Sequence, residues 1–397
     1  MSNIAVIGAG YVGLVTGLGF AQLGHHIHFI DLDKDKVSKL KNGEIPFFEP
    51  GIDQLISDEE INGRLTFSSN YSEELREVDI VFICVQTPEG DREESNLEFL
   101  YNSLDSTRKS IGKDTIICIK STFPPTVLTE FKDQLDKAGS LVFNPEFLRE
   151  GSALHDFSNP DRIVIGGSEQ SSLDIIINLY KDFNSEIILT DAVTALLIKY
   201  LSNAYLPMRL SFVNEALQLG DALDADIPIL IEGIGADRRI GKDYFRPSPG
   251  WGGSCFPKDT KSLKVMLNDK ELSSPLISSI NISNDKHLDW TAKKILEIDS
   301  SLSNNCIVLY GAAFKENTDD LRDSPTIKLY EKLKGEEVKL LIYDEFNSGL
   351  EATVTNFNEI KDSLVVLMYP FSEMEITIKE LQNNNNKIYV LWENKIL

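Results

Sequence analysis

The chain has few of the residues that build disulfide frameworks or metal sites. Its 397 residues include only four cysteines and five histidines, and neither set has the paired spacing typical of disulfide scaffolds or zinc ligands. Cys84, Cys118 and Cys306 lie in apolar runs typical of buried strands, where cysteine packs as a small hydrophobic residue. We therefore expect no disulfide framework and no bound metal.

Long hydrophobic runs and positive charge are also scarce. No apolar run is long enough to span a bilayer, and an apolar strand begins within three residues of Met1, which leaves no room for a signal peptide. The formal net charge of −23 repels polyphosphate backbones. We expect a cytoplasmic protein that binds neither membranes nor nucleic acid. A small phosphorylated ligand stays compatible with this charge, because backbone amides and helix N-termini act locally.

Apolar runs and helical periodicity divide the chain into three parts. Residues 1–190 and 301–397 alternate short apolar runs with amphipathic segments, a pattern typical of parallel sheets with crossover helices. Residues 191–300 begin with one long predicted helix, over 191–225, which we expect to bend near Pro207. We predict an α/β protein in which a central helical domain joins two Rossmann-like, doubly wound parallel-sheet domains. The predicted strands span residues 4–7, 28–30, 80–85, 115–119, 141–143, 163–165, 306–310 and 338–343, and a helix is predicted over 325–334.

A glycine motif follows the first predicted strand. Gly8, Gly10 and Gly13 open the following helix, and Asp31 ends the next strand. In this context the spacing is the dinucleotide fingerprint, with a helix N-terminus facing the pyrophosphate. Asp31 would accept hydrogen bonds from a ribose and repel a 2′-phosphate, which favours NAD over NADP. The alternative is a purely structural helix-capping turn.

The last part of the chain repeats the strand, loop, helix and strand order, closed by Asp344. Gly311, Ala312 and Phe314 stand where the first motif has its three glycines. Because the close-approach glycines are missing, we expect this second copy to hold a different ligand. The asparagine run 383–386 is expected to be a turn.

Polar residues cluster after three predicted strands, in segments 86–88, 120–122 and 144–151. Each segment alone reads as an ordinary loop, but open α/β sheets bind ligands beyond the carboxyl ends of their strands, so together they predict one crevice. Lys199 and Asn203 lie four residues apart on the long helix and so project from one face. That pair is either a lysine at a domain boundary with its ammonium near solvent or a polar pair aimed at an oxyanion or water.

Cys255 differs from the other cysteines because it lies in a polar, glycine-rich turn over residues 250–259. Neighbouring glycines allow close approach, and Lys258 would favour the nucleophilic thiolate. A loop cysteine is often incidental. Beside a hydride acceptor, however, a thiol can add to an aldehyde and give a thiohemiacetal, which loses hydride to become a thioester.

Together these motifs resemble the nucleotide-sugar dehydrogenases of the UDP-glucose/GDP-mannose dehydrogenase family. The resemblance covers nearly the whole chain, in order. It rests on residues 8–13, 49–51, 87–88, 120–122, 144–151, 199 with 203, 239–241, 250–259 and 314–315.

The resemblance implies a four-electron oxidation of the sugar C6 alcohol to a carboxylate, with two NAD per sugar and Cys255 as the nucleophile. UDP-glucose is the first candidate substrate. GDP-mannose, a UDP-N-acetylhexosamine and a non-catalytic NAD-binding protein are the alternatives. Arg239 corresponds to a residue that reaches into a neighbouring subunit's site, so at least a homodimer is expected.

The resemblance also assigns roles to individual residues. Catalytic roles fall to Cys255, Lys199, Asp259, Asn203, Glu146 and Thr122. Cofactor contacts are expected from Gly8, Gly10, Tyr11, Val12, Gly13, Asp31, Lys36, Thr87, Ser121, Thr122, Glu150 and Lys258. Substrate contacts are expected from Glu146, Phe147, Leu148, Lys199, Asn203, Arg239, Tyr244, Phe245, Ser248, Gly252, Phe314 and Lys315.

Three segments depart from the family pattern. Residues 369–371 replace a Thr-Glu-Trp stretch, residues 391–395 replace an ending near Asp-Gly-Arg, and residues 121–126 replace a glycine-containing continuation. The first two lie in the predicted nucleotide domain, and none falls in the Cys255 segment.

Overall fold

The computed structural model describes residues 1–71, 73–129, 141–302, 306–336, 338–347, 349–350, 352–354 and 356–397. These residues form two compact units, Met1–Leu201 and Ser202–Leu397. In the described residues no helix combines the length and the apolar character needed to cross a membrane.

The first unit is built on one sheet. Its strands are β1 (Asn3–Ile7), β2 (His26–Ile30), β3 (Leu65–Ser68), β4 (Ile80–Ile83), β5 (Ile116–Ile119), β6 (Leu141–Phe143), β7 (Arg162–Gly167) and β8 (Glu186–Thr190). The spatial order is β3-β2-β1-β4-β5-β6-β7-β8, so the order reverses between β1 and β4. Such a switch point is where open α/β sheets bind ligands.

Helices cover the sheet of the first unit. They are α1 (Tyr11–Gln22), α2 (Lys34–Lys41), α3 (Ile52–Ser57), α4 (Glu59–Asn62), α5 (Glu98–Ser110), α6 (Ala153–Ser158), α7 (Gln170–Leu179) and the start of α8 (Ala192–Ala222). Separate apolar clusters lie on the two sheet faces, one around Val6 and Leu18 and the other around Ile7 and Leu100. Alternate residues of β1 therefore serve opposite faces, as expected for a strand buried on both sides.

The six strands predicted for residues 1–190 are present, with ends that differ by a few residues. Prediction missed β3 and β8, the two edge strands of this sheet, which are only partly buried. One pair also departs from the parallel pattern, because Val142 and Phe143 pair antiparallel with Gly167 and Gly166.

The second unit combines long helices with a smaller sheet. The helices are the remainder of α8, then α9 (Ile227–Gly235), α10 (Phe256–Asp269), α11 (Pro275–Leu302), α12 (Pro325–Leu333) and α13 (Met374–Asn383). The strands are β9 (Cys306–Tyr310), β10 (Lys339–Tyr343), β11 (Thr353–Val354), β12 (Leu364–Leu367), β13 (Lys387–Val390) and β14 (Lys395–Ile396). Their order is β11-β10-β9-β12-β13-β14. The predicted long helix is confirmed, and Pro207 lies inside it.

The two sheets repeat one structural detail. Asp31 Oδ2 accepts a hydrogen bond from Ala9 N at 2.9 Å, and Asp344 Oδ2 accepts one from Ala312 N at 2.6 Å. The carboxylate that ends the second strand thus holds the loop after the first strand in both sheets. The predicted repeat is confirmed, as is the fold class of two parallel-sheet α/β domains with a helical central region.

Glycine is required at position 13 by packing. A Cβ on Gly13 would lie 1.8 Å from the carbonyl oxygen of Gly8, whereas a Cβ on Gly10 would meet nothing within 4 Å. We expect Gly13→Ala to lower the free energy of unfolding by roughly 2 kcal/mol or more, because the clash is with backbone. Thermal unfolding is the measurement and Gly10→Ala is the matched control. Equal melting temperatures for the two variants would contradict the prediction.

Candidate active site

The loop between β1 and α1 has the geometry of a diphosphate cradle. Gly8 has a φ of +93°, and a Cβ there would lie 2.9 Å from Cys84 O, so the loop packs directly on the end of β4. Space beside Gly10 is open. The loop therefore offers bare backbone at the N-terminus of α1, which fits the pyrophosphate of a dinucleotide.

Asp31 lies at the end of β2, as predicted. Its Oδ2 accepts from Ala9 N and from Lys36 Nζ, both at 2.9 Å, and its Oδ1 accepts from Asp33 N at 3.0 Å. These donors fix the carboxylate where the fingerprint expects a ribose hydroxyl. They also bring together two predicted cofactor residues, Asp31 and Lys36.

The loops after β4 and β5 are tied together by short hydrogen bonds. Thr87 Oγ1 donates to Thr122 O at 2.6 Å, and Ser121 Oγ donates to Val85 O at 2.6 Å. Both hydroxyl protons are used inside the protein. Thr87 and Ser121 therefore shape the crevice edge, and their predicted cofactor contacts stay predictions.

Glu146 and Lys199 form a buried ion pair. Lys199 Nζ donates to Glu146 Oε1 at 2.9 Å and to Glu146 O at 2.7 Å, while Leu148 N donates to Oε2 at 2.7 Å. Each side chain is less than a tenth exposed. Both carboxylate oxygens are thus engaged, which offsets the cost of burying the charge. The structure brings these two predicted residues together.

Two cations lie close to the ring of Phe147. The Arg162 guanidinium carbon is 3.7 Å from the ring centroid and the Lys199 ammonium is 5.3 Å from it, within the range of cation–π attraction. Arg162 was not predicted as a functional residue. In the sequence, the only indication of Arg162 is that an arginine begins a strand that is otherwise mostly apolar.

Glu49 connects three distant segments and was missed as a functional residue. Its carboxylate accepts from Gly151 N and Ala153 N at 2.7 Å each and from the Tyr11 hydroxyl through a very short hydrogen bond. Burial and the Glu49 carboxylate raise the pKa of the Tyr11 phenol well above its ordinary value, and Glu150 adds to this effect. The Tyr11 hydroxyl is therefore a fixed hydrogen-bond donor to Glu49. Through Glu49, helix α1 is connected to the segment that carries Glu146. In the sequence, only the family-like segment 49–51 pointed to Glu49.

Cys255 lies immediately before α10 and its side chain is exposed. One turn later, the buried Asp259 carboxylate accepts from Asn203 Nδ2 at 2.7 Å and from Lys258 Nζ at 2.5 Å. Ser254 Oγ lies 3.5 Å from the sulfur. The predicted residues Cys255, Asp259 and Asn203 thus belong to one cluster, which combines an exposed thiol with a held carboxylate.

The loop before Cys255 is anchored on the long helices. Trp251 N donates to Asn284 Oδ1 at 3.0 Å, and Trp251 Nε1 donates to Ser211 Oγ at 3.0 Å. The imidazole of His287 lies 2.7 Å from Ser248 O. A Cβ on Gly252 would lie 2.1 Å from Asp323 O, so glycine is needed there. The loop that presents the thiol is held rigidly.

The other predicted substrate residues lie in different settings. Phe314 packs over Gly253, and Lys315 lies above the Phe314 ring at 5.6 Å. Phe245 is buried, with its ring 6.1 Å from that of Phe212, so its side chain has a packing role. Arg239 is exposed, paired with its neighbour Asp237, and outside the Cys255 cluster.

Comparison with known proteins assigns each part of the chain. Models of the UDP-glucose/GDP-mannose dehydrogenase family match residues 2–184 as the NAD binding domain, 193–286 as the central domain and 308–367 as the UDP binding domain. The chain belongs to this family. The resemblance found in the sequence, the NAD cofactor and the class of NAD-dependent nucleotide-sugar dehydrogenase are confirmed.

Individual relatives agree. A UDP-glucose 6-dehydrogenase of Rickettsia bellii is 40% identical over 89% of this chain and 83% of its own length. The Bacillus subtilis UDP-glucose 6-dehydrogenase YwqF is 37% identical over 86% of this chain and 79% of its own length.

Solved structures show the same fold. A UDP-glucose dehydrogenase from Pyrobaculum islandicum has a TM-score of 0.83 at 28% identity, over 94% of this chain and 91% of that one. The UDP-N-acetyl-mannosamine dehydrogenase Cap5O from Staphylococcus aureus has a TM-score of 0.83 at 25% identity, over 98% of this chain and 94% of that one.

His287 should make the enzyme sensitive to acid. Burial lowers the pKa of its imidazole to about 4, whereas the unfolded chain has the ordinary value near 6.5. The neutral form is held in the folded state, so stability is lost as the pH falls from about 6.5 to about 4, by roughly 3 kcal/mol in all.

We expect His287→Gln to flatten this loss, whatever its effect on stability at neutral pH. Urea unfolding between pH 7 and pH 4 is the measurement, with His155→Gln, an exposed histidine, as the control. An unchanged slope in His287→Gln would show that other groups carry the acid sensitivity.

Proposed function

We propose that this enzyme oxidises UDP-glucose to UDP-glucuronate, a four-electron reaction that uses two NAD per sugar. The single observation that carries the mechanism is the exposed thiol of Cys255 one helical turn before the held carboxylate of Asp259. A thiol of this kind lets an aldehyde stay covalently bound between two oxidations. The names of the Rickettsia and Bacillus relatives support the choice of sugar.

The first oxidation removes a proton from the C6 hydroxyl and a hydride from C6. In each of the two oxidations the bound NAD serves as the hydride acceptor. Lys199, already a donor to Glu146 at 2.9 Å, would stabilise the alkoxide that precedes hydride loss. Asn203 would position the sugar. Binding energy from the distant nucleotide would orient C6.

The second oxidation runs through Cys255. Its thiolate adds to the C6 aldehyde, and the resulting thiohemiacetal loses a second hydride to become a thioester. Water then cleaves the C–S bond, giving the carboxylate and restoring the thiol. We assign Glu146 to this hydrolysis, Thr122 to the water, and Asp259 with Lys199 to proton transfer. A positioned acid or base contributes roughly 10²–10⁴-fold.

Two other functions are weighed against this one. Oxidation of another nucleotide sugar is favoured by the fold shared with the staphylococcal UDP-N-acetyl-mannosamine dehydrogenase. A non-catalytic NAD-binding protein is disfavoured, because the predicted catalytic residues Cys255, Lys199, Asp259 and Glu146 are all present. A family member that had lost its activity would be expected to lack at least one of them.

The test counts NADH for each sugar nucleotide. Purified protein with excess NAD and a limiting amount of UDP-glucose should form two NADH per sugar, since both oxidations occur before release. UDP-N-acetylmannosamine, UDP-N-acetylglucosamine and GDP-mannose complete the panel. A higher kcat/KM for one of them would transfer the assignment to that sugar, and one NADH per UDP-glucose would refute the covalent scheme.

Cys255→Ser is the mechanistic arm of the same assay. The variant should bind NAD like the wild type and fail to form the acid, because an alkoxide cannot replace the thiolate as nucleophile and leaving group. Cys306→Ser is the matched control, as this cysteine lies in β9 and has no assigned role. Full turnover by Cys255→Ser would remove the thioester from the mechanism.

We also propose that α8 forms a homodimer interface. Tyr205, Phe212 and Leu219 are each more than half exposed and are spaced by seven residues, so they share one helix face. An exposed apolar stripe of this length is typical of an interaction surface. We further propose that the exposed Arg239 contacts the partner subunit. We also propose the domain limits 1–190, 191–300 and 301–397, and a cytoplasmic location.

Leu219→Glu should weaken the dimer by placing a charge in the apolar stripe. Light scattering of the purified protein should give twice the chain mass, or a higher multiple, for the wild type and a lower mass for the variant. Leu32→Glu, at an equally exposed leucine of the first unit, is the control. A monomeric wild type would refute the proposal.

A further inference from the structure

Lys120 is a buried cation that the proposed chemistry does not use. It follows β5 and is 6% exposed. Its ammonium donates to Asn144 Oδ1 at 2.9 Å and to Asn144 O at 3.4 Å. Tyr180 donates to the same Oδ1 at 2.7 Å, and Asn144 Nδ2 donates to Val164 O at 2.8 Å, so the amide oxygen must face Lys120.

This ammonium is not neutralised by an acidic partner. Among the described residues Lys120 forms no ion pair. Glu146 acts on it electrostatically, but that carboxylate is already paired with Lys199 at 2.9 Å. The Glu146 carboxylate is therefore the negative charge near both ammonium groups, and Glu146, Lys120 and Lys199 together carry a formal charge of +1.

The other titratable groups near Lys120 supply no compensating charge. Burial raises the pKa of the Cys84 thiol to about 12, and it raises the pKa values of the Cys118 thiol and the Tyr180 phenol well above their ordinary values. All three are neutral at physiological pH. In a low-dielectric interior, an unneutralised charge acts over a longer range than it would in water.

Lys120 lies beneath the crevice that takes the cofactor. The Gly8 loop packs on Cys84 O at the end of β4, and β5, which ends just before Lys120, pairs with β4. The ribose aspartate, Asp31, is on β2, on the other side of the Gly8 loop. Because a dinucleotide spans the switch point, its nicotinamide half would extend over β4 and β5, the side of Lys120.

We propose that Lys120 acts on the cofactor electrostatically. The fixed positive charge of its ammonium favours binding of the reduced nicotinamide over the oxidised one. The oxidised ring carries a positive charge and the reduced ring is neutral. A buried cation repels only the first, so it assists hydride transfer to the cofactor. This role rests on NAD binding and not on which sugar is oxidised.

The protonation state sets the pH window of the effect. Burial lowers the pKa of Lys120, the Lys199 ammonium lowers it further, and the Glu146 carboxylate raises it. The positive charge is present below the folded-state pKa and is lost as the pH rises through it. The preference for the reduced cofactor should therefore weaken as the pH rises through the lowered pKa of Lys120.

The test is the ratio Kd(NAD⁺)/Kd(NADH), measured by calorimetry at pH 7 without any sugar. Lys120→Met removes the charge and keeps the chain length. We expect the ratio to fall by about threefold or more, mainly through tighter NAD⁺ binding, since a like charge has been removed. A ratio unchanged within error, in a variant that melts like the wild type, would overturn the proposal.

A second variant keeps the test decisive if Lys120→Met folds poorly. Asn144→Asp leaves the lysine in place and pairs it with a carboxylate, so the ratio should move in the same direction. A merely structural role predicts equal loss of both ligands and no change in the ratio. Lys109→Met removes an exposed lysine of α5 and should leave the ratio unchanged. If Lys109→Met lowered it equally, net charge rather than Lys120 would be responsible.

Discussion

The structure depends on supplying donors to carboxylates that are buried away from water. Glu49, Glu146 and Asp259 each accept at least two hydrogen bonds, and each takes at least one of them from a residue distant in the chain. Because a buried carboxylate without partners costs several kcal/mol, these bonds fix the segments that supply them. Helix α1, the 144–151 segment and the first turn of α10 are therefore held in place through these three carboxylates.

This arrangement makes positioning and electrostatics inseparable. Lys199 holds the backbone and the carboxylate of Glu146 at once, so its charge cannot be moved without moving the strand end. Lys258 and Asn203 likewise fix the two oxygens of Asp259 one turn after the thiol. Preorganised charge of this kind needs no reorganisation during the reaction, which is the main source of electrostatic catalysis.

Two of the three departures from the family pattern are packed into the second unit. Tyr369 fills the space over Gly311, where a Cβ would lie 2.6 Å from its ring. Asn394, in the unusual ending, adopts a φ of +51°, which asparagine tolerates better than most residues. Its side chain accepts from the Tyr389 hydroxyl and donates to Asp221 on α8. The unusual ending is thus anchored within the second unit.

Patterns local in the chain could be predicted from the sequence. The glycine spacing with Asp31, the β9 and β10 strands, the long helix and the isolated polar setting of Cys255 all follow from backbone freedom and periodicity. The edge strands β3 and β8 were not predicted, although β8 contains the apolar run 187–189. The resemblance named Lys199, Asn203, Asp259 and Glu146, yet no spacing between them indicates contact.

Only the tertiary structure showed which charged and polar side chains are in contact with one another. Asn203 and Asp259 are 56 residues apart and Lys199 and Glu146 are 53 apart. Glu49, Arg162 and Lys120 drew little notice in the sequence, because a lone charged residue beside an apolar run is usually exposed. Their importance comes from burial and from partners, which depend on how strands are ordered in the sheet. The sequence by itself determined the fold class, the cofactor and the thiol, whereas the order of the strands decided the electrostatic environment of the crevice.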